Sequence, residues 1–317
     1  MEANSWADTT FGPVPSRRLG RSMGINNIPP KICSYACVYC QLGNTIKMQI
    51  ERQAFFRPED ILKSVRNRVR QVLKQGEKID YLAFVPDGEP TLDINLAKNI
   101  DLLKSLSISV AVISNGSLSS SPAVCRELLI ADWVSLKVDA VTEKLWRIID
   151  RPHGKLNLHQ ILDGMLSFRE KFEGRLVTET MLVKEINDSV KSVHQIGQFL
   201  AHLQPDIAYI SIPTRPPADK NIRKADPEAI NIAYQIMKSY VNKVELIIDY
   251  EGNTFSFTGN TREDILNITS VHPMRLDAIK AILHQTNTDW TIIEEMLENG
   301  ELIKTEYESQ TFFLRSY

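Results

Sequence analysis

The chain has 317 residues, more than one typical domain and enough for a barrel with an appendage. Hydrophobic residues make up 43% and charged residues 24%; no apolar run is long enough to span a membrane, and the polar amino terminus lacks a signal-peptide core, which excludes membrane-spanning and secretory readings. The net charge of −2 argues against a general grip on nucleic acid, although the charge is uneven: residues 1–80 carry 13 Lys/Arg against 7 Asp/Glu, and residues 260–317 carry 5 against 10.

Residues 1–10 read as frayed. From Phe11 to Asn26, two prolines and three glycines exclude a helix and predict a turn leading into a short strand that ends near Asn27. Arg17, Arg18 and Arg21 there read either as donors to an anionic ligand or as solvated surface charges. The strand feeds Cys33-Ser34-Tyr35-Ala36-Cys37-Val38-Tyr39-Cys40, which holds three of the chain's four cysteines. Thiolates suit iron–sulfur clusters and zinc. An all-cysteine zinc site wants a fourth sulfur, and Cys125 lies far along the chain. Three thiolates on one loop suit a cubane with one iron left open; a small zinc loop or buried thiols are the plainer alternatives. Clustered thiols without disulfide spacing imply a reducing compartment, hence a cytoplasmic protein.

Pro58-Glu59-Asp60 opens a helix, with proline and acids in its first turn. Its apolar face is Ile61, Leu62, Val65, Val69, Val72 and Leu73; Lys63, Arg66, Arg68, Arg70 and Lys74 read as the opposite, basic face. Tyr81–Val85 is an apolar run suited to a strand buried on both faces. A helix near 93–106, a strand Val110–Ile113, a helix Pro122–Ile130 and a strand Trp133–Asp139 follow. A long connection, Ala140–Lys155, precedes a helix through Phe172. A strand Leu176–Leu182, a helix to about Leu203, a strand Ile207–Ile212, a helix over 227–240 and a strand Val244–Ile248 complete the series. Cys125 reads as a packing residue beside Val124, Leu128 and Leu129.

Alternation of strands and helices implies parallel βαβ units. Six such units after the first strand predict an α/β fold, a partial (β/α)6 TIM-like barrel over residues 1–255. In such sheets chemistry gathers at the carboxyl ends of the strands. The cysteine loop, Asp87–Thr91, Ser114-Asn115, Lys137–Asp139, Lys184-Glu185 and Arg215 all stand there.

The spacing of the three cysteines, with an aromatic just before the last, resembles the signature loop of the radical S-adenosylmethionine (SAM) superfamily. The resemblance implies that Cys33, Cys37 and Cys40 hold a [4Fe-4S] cluster. It also implies that SAM binds the open iron and is cleaved by one electron to a 5'-deoxyadenosyl radical. Asp87-Gly88-Glu89-Pro90 stands where that superfamily carries its Gly-Gly-Glu-type motif. By the same resemblance Asp87, Gly88 and Glu89 meet the SAM ammonium, Tyr39 packs beside the adenine, and Ser114, Asn115, Lys137 and Asp139 complete the cofactor site. Asp87 departs from the pattern, since glycine often stands there. The order of elements is similar to that of the wyosine-type tRNA synthases, but their extra cysteine-bound cluster and basic surface are missing.

On the substrate side, Lys184, Arg215 and Arg151 are the candidate catalytic residues. The long connection with Trp146, His153 and Lys155 is a candidate for the same end; His153 reads as a structural loop histidine. The polar mouth favours a small-molecule or peptide substrate, with flavodoxin or ferredoxin as electron donor and with neither nucleic acid nor membrane as partner. Two other readings remain: tRNA modification using the basic amino-terminal face, and a non-catalytic metal-binding regulator.

Beyond Asn260 the character changes. Ile265–Ile268 is a short apolar stretch, Pro273–Leu283 and Thr288–Glu298 read as helices, and Leu302–Tyr307 with Thr311–Leu314 as a hairpin. Residues 256–317 are therefore expected to form a small winged-helix-like domain, whose acidity would repel phosphate.

Overall fold

The computed structural model describes residues 9–248 and 260–316. The predicted frayed end lies mostly outside them, but order begins at once: Thr10 is buried and starts a strand. Strands β1 (Thr10–Ser16) and β2 (Gly20–Ile25) form an antiparallel hairpin where a turn and one strand were expected. Pro13 and Pro15 do not forbid this, because β1 is an edge strand and its ladder slips between Phe11 and Val14. Gly24 is required beside it: a Cβ there would fall 1.9 Å from the Phe11 ring.

From β2 the chain enters the cysteine loop, which contains a short parallel pair, β3 (Ile32–Cys33) and β4 (Lys47–Met48). Then come α1 (Pro58–Lys74), β5 (Tyr81–Phe84), α2 (Leu96–Lys104), β6 (Ser109–Ser114), α3 (Pro122–Leu128) and β7 (Trp133–Lys137). The long connection is not irregular; it carries α4 (Glu143–Ile149) before α5 (Leu158–Arg169). The series closes with β8 (Arg175–Met181), α6 (Val190–Leu203), β9 (Ile207–Ser211), α7 (Pro227–Tyr240) and β10 (Val244–Ile247).

The eight strands form one curled sheet in the order β1-β2-β5-β6-β7-β8-β9-β10, parallel from β2 onward. This is the expected partial (β/α)6 barrel. Residue parity divides each strand between two cores. Leu82, Phe84, Val110, Val112, Val134, Leu136 and Leu176 face the helices. Ala83, Ala111, Trp133, Val177, Ile207 and Tyr209 form the inner layer. Burial on both faces accounts for the nearly continuous apolar strands.

Arg68 departs from its expected place on a solvated face. It is buried, donates from Nε to the Gly12 carbonyl at 2.7 Å, and meets Asp264 at 3.3 Å. Leu73, read as apolar-face, is instead 55% exposed. The carboxyl-terminal residues hold three helices, not two. The stretch read only as apolar is α8 (Thr261–Thr269), followed by β11 (Met274–Arg275), α9 (Leu276–Gln285), α10 (Thr291–Glu298), β12 (Leu302–Tyr307) and β13 (Gln310–Arg315). The strands pair antiparallel in the order β11-β13-β12. Phe11 and Val14 from β1 complete the core of Ile265, Ile268, Ile279, Ile282, Met296 and Phe313. The boundary expected at 255/256 lies outside the described residues.

Candidate active site

The cysteine loop is held by backbone bonds from elements distant in sequence. Ala36 and Val38 donate to Asp150 O and Ile149 O at the end of α4, at 3.1 and 2.9 Å. His153 donates to Ser34 O at 2.9 Å, and Trp146 Nε1 donates to the Tyr35 hydroxyl at 3.1 Å with the two rings edge to face. The connection read as a substrate loop thus braces the cysteines, and Trp146 is buried. The His153 ring accepts from its neighbour Lys155 N at 3.3 Å, in keeping with the structural reading of this histidine.

Gly88 provides the second brace. Glu89 N donates to Ile32 O at 3.1 Å, and a Cβ on Gly88 (φ +155°) would fall 2.0 Å from that same carbonyl. Gly88→Ala is expected to cost about 3 kcal/mol, from positive-φ strain and from displacement of the loop entering Cys33. A urea midpoint equal to that of the parent would show that the loop yields freely.

A cavity of about 330 Å³ opens at the carboxyl ends of the strands, within the size range of ligand pockets. Cys33, Cys37, Tyr39 and Cys40 line it together with Gly88, Glu89, Ser114, Asn115, Lys137 and Arg215. Cys125 stands apart in α3, bonded to Ser119 O at 3.1 Å. Among the described residues no group of three His, Cys, Asp or Glu side chains is arranged around a single metal ion. The donor set does fit a larger sulfur-bound group, since three soft ligands from one loop line the same ligand-sized space. Burial raises all three thiols, Cys33 to about 12, so they stay protonated unless a metal takes up the thiolates.

Glu89 cross-links the strand ends. One carboxylate oxygen accepts from Thr91 N, Thr91 Oγ1 and Ser114 Oγ at 3.0, 2.6 and 2.7 Å, and the other accepts from Asn115 N at 2.8 Å. Burial raises its carboxyl above the usual value, although these bonds oppose the shift. Asn115 Nδ2 lies 3.0 Å from Ser34 Oγ and 3.5 Å from Cys33 Sγ, so the end of β6 touches the cysteine loop directly. Asp87 turns elsewhere: it pairs with Lys31 at 2.8 Å, and its side chain supports the loop. Asp139 accepts from the Tyr39 hydroxyl and from Met181 N, buried behind the cavity wall. Lys137 Nζ sits 5.1 Å from the centre of the Tyr39 ring.

Of the substrate-side candidates, Arg215 lines the cavity, donating to Gln41 Oε1 at 3.2 Å and meeting His272 Nε2 at 3.0 Å. His272 comes from the segment after α8 and is held neutral by burial and by Arg215. Lys184 pairs with Asp226 at 2.8 Å, and Arg151 pairs with Asp219 at 2.8 Å with half its side chain exposed; neither is among the cavity's lining residues. Arg17 and Arg18 do line it, whereas Arg21 pairs with Glu77.

Glu179 was missed. It lies mid-strand in β8, pairs with Arg18 and with Lys137 (2.9 Å), and accepts from Ser211 Oγ at 2.9 Å. Its signal was parity: it shares the inward face with Val177, as Lys137 does with Trp133 and Ser211 with Tyr209.

A profile described as the radical SAM superfamily matches residues 27–195. The chain is 48% identical to the UPF0026 protein MJ1312 of Methanocaldococcus jannaschii, over 96% of this chain and 95% of that protein. Among solved structures it is similar to a radical SAM methyltransferase from Sphaerobacter thermophilus, with a TM-score of 0.55 and 13% identity over 72% of this chain and 66% of that one. TYW1 with a lysine-pyruvate adduct bound gives 0.52 and 17% over 70% and 74%. At these identities the structural likeness shows the fold.

Proposed function

This chain belongs to the radical SAM superfamily and is an enzyme of that class, and on that premise we propose that it cleaves SAM reductively to abstract hydrogen from a small-molecule or peptide substrate. The carrying observation is that Cys33, Cys37 and Cys40 line one cavity together with Gly88, Glu89, Ser114 and Asn115. Cys33, Cys37 and Cys40 would hold a [4Fe-4S] cluster, which with SAM supplies one-electron cleavage of the sulfonium.

The protein's own residues do the rest. The Gly88 contact and the end of α4 fix the cysteines against the strand ends. Glu89 gathers Thr91, Ser114 and Asn115 into one polar rim suited to the amino acid end of SAM. Tyr39, with Lys137 above its ring, offers a surface for the adenine. Arg215 carries the substrate side, while Lys184 and Arg151, paired with Asp226 and Asp219 outside the cavity lining, tie the surrounding loops together. The winged-helix reading of residues 256–317 as a domain fits the order α8-β11-α9-α10-β12-β13. Among the described residues no helix is long and apolar enough to cross a membrane; three reduced thiols suit work in the cytoplasm.

The test is anaerobic reconstitution followed by dithionite and SAM, with 5'-deoxyadenosine as the product sought; its absence from a brown, iron-loaded protein would overturn the reading. Glu89→Ala is expected to weaken SAM binding at least about tenfold, the loss of one charged hydrogen bond, while cluster absorbance is kept. Equilibrium binding of SAM to the reconstituted variant measures this, and unchanged affinity would remove Glu89 from the site.

A further inference from the structure

Residues Thr45–Gln49 run directly behind the cysteines. Ile46 is 74% exposed, the most exposed large hydrophobic side chain among the described residues, and Met48 is 37% exposed. Lys47, between them, is exposed and makes no ion pair among the described residues. The segment is fixed, not loose. Lys47 stands opposite Ile32 and Met48 opposite Cys33 in the parallel pair of β3 and β4. Gln49 N donates to Cys33 O at 3.0 Å, and Thr45 Oγ1 donates to Tyr35 O at 2.7 Å.

We propose that Ile46, Lys47 and Met48 form the docking surface for a small acidic one-electron carrier protein that reduces the centre held by the cysteines. The inference rests on the radical SAM reading. β4 itself lies one strand spacing, about 4.8 Å, from the backbone of Cys33, so a partner seated on it is separated from the cysteine loop by a single strand. One electron leaves the carrier and enters the cluster; no proton moves at the interface. Transient redox interfaces are small, so two apolar side chains and a rim suffice. Charge selects the partner. Lys47, exposed and without an ion pair among the described residues, stands between the two apolar residues, whereas the nearby Glu51 is already matched by Lys155 at 3.7 Å. An acidic carrier complements the unmatched positive charge of Lys47 at the centre of the patch. The rival basic surface, Lys63, Arg66, Arg70 and Lys74 on α1, belongs to a helix that packs on α2 and β1 and pairs with no strand of the cysteine loop.

The test uses the full reconstituted chain carrying Ile46→Asp and Lys47→Glu, with purified flavodoxin as the probe. Calorimetric titration measures flavodoxin binding, and 5'-deoxyadenosine formation is compared between flavodoxin with its reductase and NADPH and dithionite alone. Binding and the flavodoxin-driven rate are expected to fall about tenfold, with cluster absorbance and the dithionite-driven rate held. Parental flavodoxin affinity in the variant would overturn the proposal. So would the same loss appearing in Arg66→Glu/Arg70→Glu instead. If the parent makes no 5'-deoxyadenosine with dithionite, the radical reading fails, and the binding comparison still decides the surface.

Discussion

Cys37→Ala is expected to yield a folded protein that takes up no cluster. The side chain contributes one of three sulfurs and a bond to Asp150 Oδ1 at 3.4 Å, while the loop's position is set by backbone bonds at Ala36 and Val38. Removing the thiol therefore deletes a ligand and leaves the scaffold. Iron analysis and the charge-transfer absorbance after anaerobic reconstitution measure the effect, with circular dichroism as the check on folding. Full iron loading in this variant would mean that the three cysteines are not a ligand set.

Glu179→Ala is expected to cost about 3 kcal/mol, the low end for removing one partner of a buried pair, because Arg18 and Lys137 keep 18% and 19% exposure. Burial alone would raise the Glu179 carboxyl, but Arg18, then Lys137, with Ser211, outweigh it and hold the carboxyl well below its usual value. A lowered acid contributes stability in full above its unfolded value, near pH 4.3, and loses it as pH falls below that. The gap in urea midpoint between parent and variant should therefore be widest at neutral pH and narrow in acid. A gap that widens in acid would show that Glu179 is not held ionised. Freed of its carboxylate, Lys137 would also face Arg18 across the cavity, so SAM affinity is expected to change with stability.

The rhythm of apolar strands and amphipathic helices was readable from residue order because parallel strands are buried on both faces and outer helices on one. That periodicity is local, and it placed each polar cluster at a strand end. The cysteine loop was readable for a different reason: ligand spacing on a short segment is itself a sequence property. What escaped were the particular contacts between residues far apart. The end of α4 braces the cysteines through backbone carbonyls, which carry no side-chain signature. Arg68 looked like a surface cation until Gly12 and Asp264 closed over it.

The sequence by itself determined the fold class, the thiol trio and the stations of the polar residues, since each depends on neighbours a few positions away. Only the tertiary structure decided which of those residues share the cavity. It put Arg215 at the wall beside His272 and turned Lys184, Arg151 and Asp87 into ion pairs elsewhere. The reason is physical: a charged side chain settles where an opposite charge or a hydrogen-bond partner reaches it, and that partner is chosen by the folded sheet, not by the order of the chain.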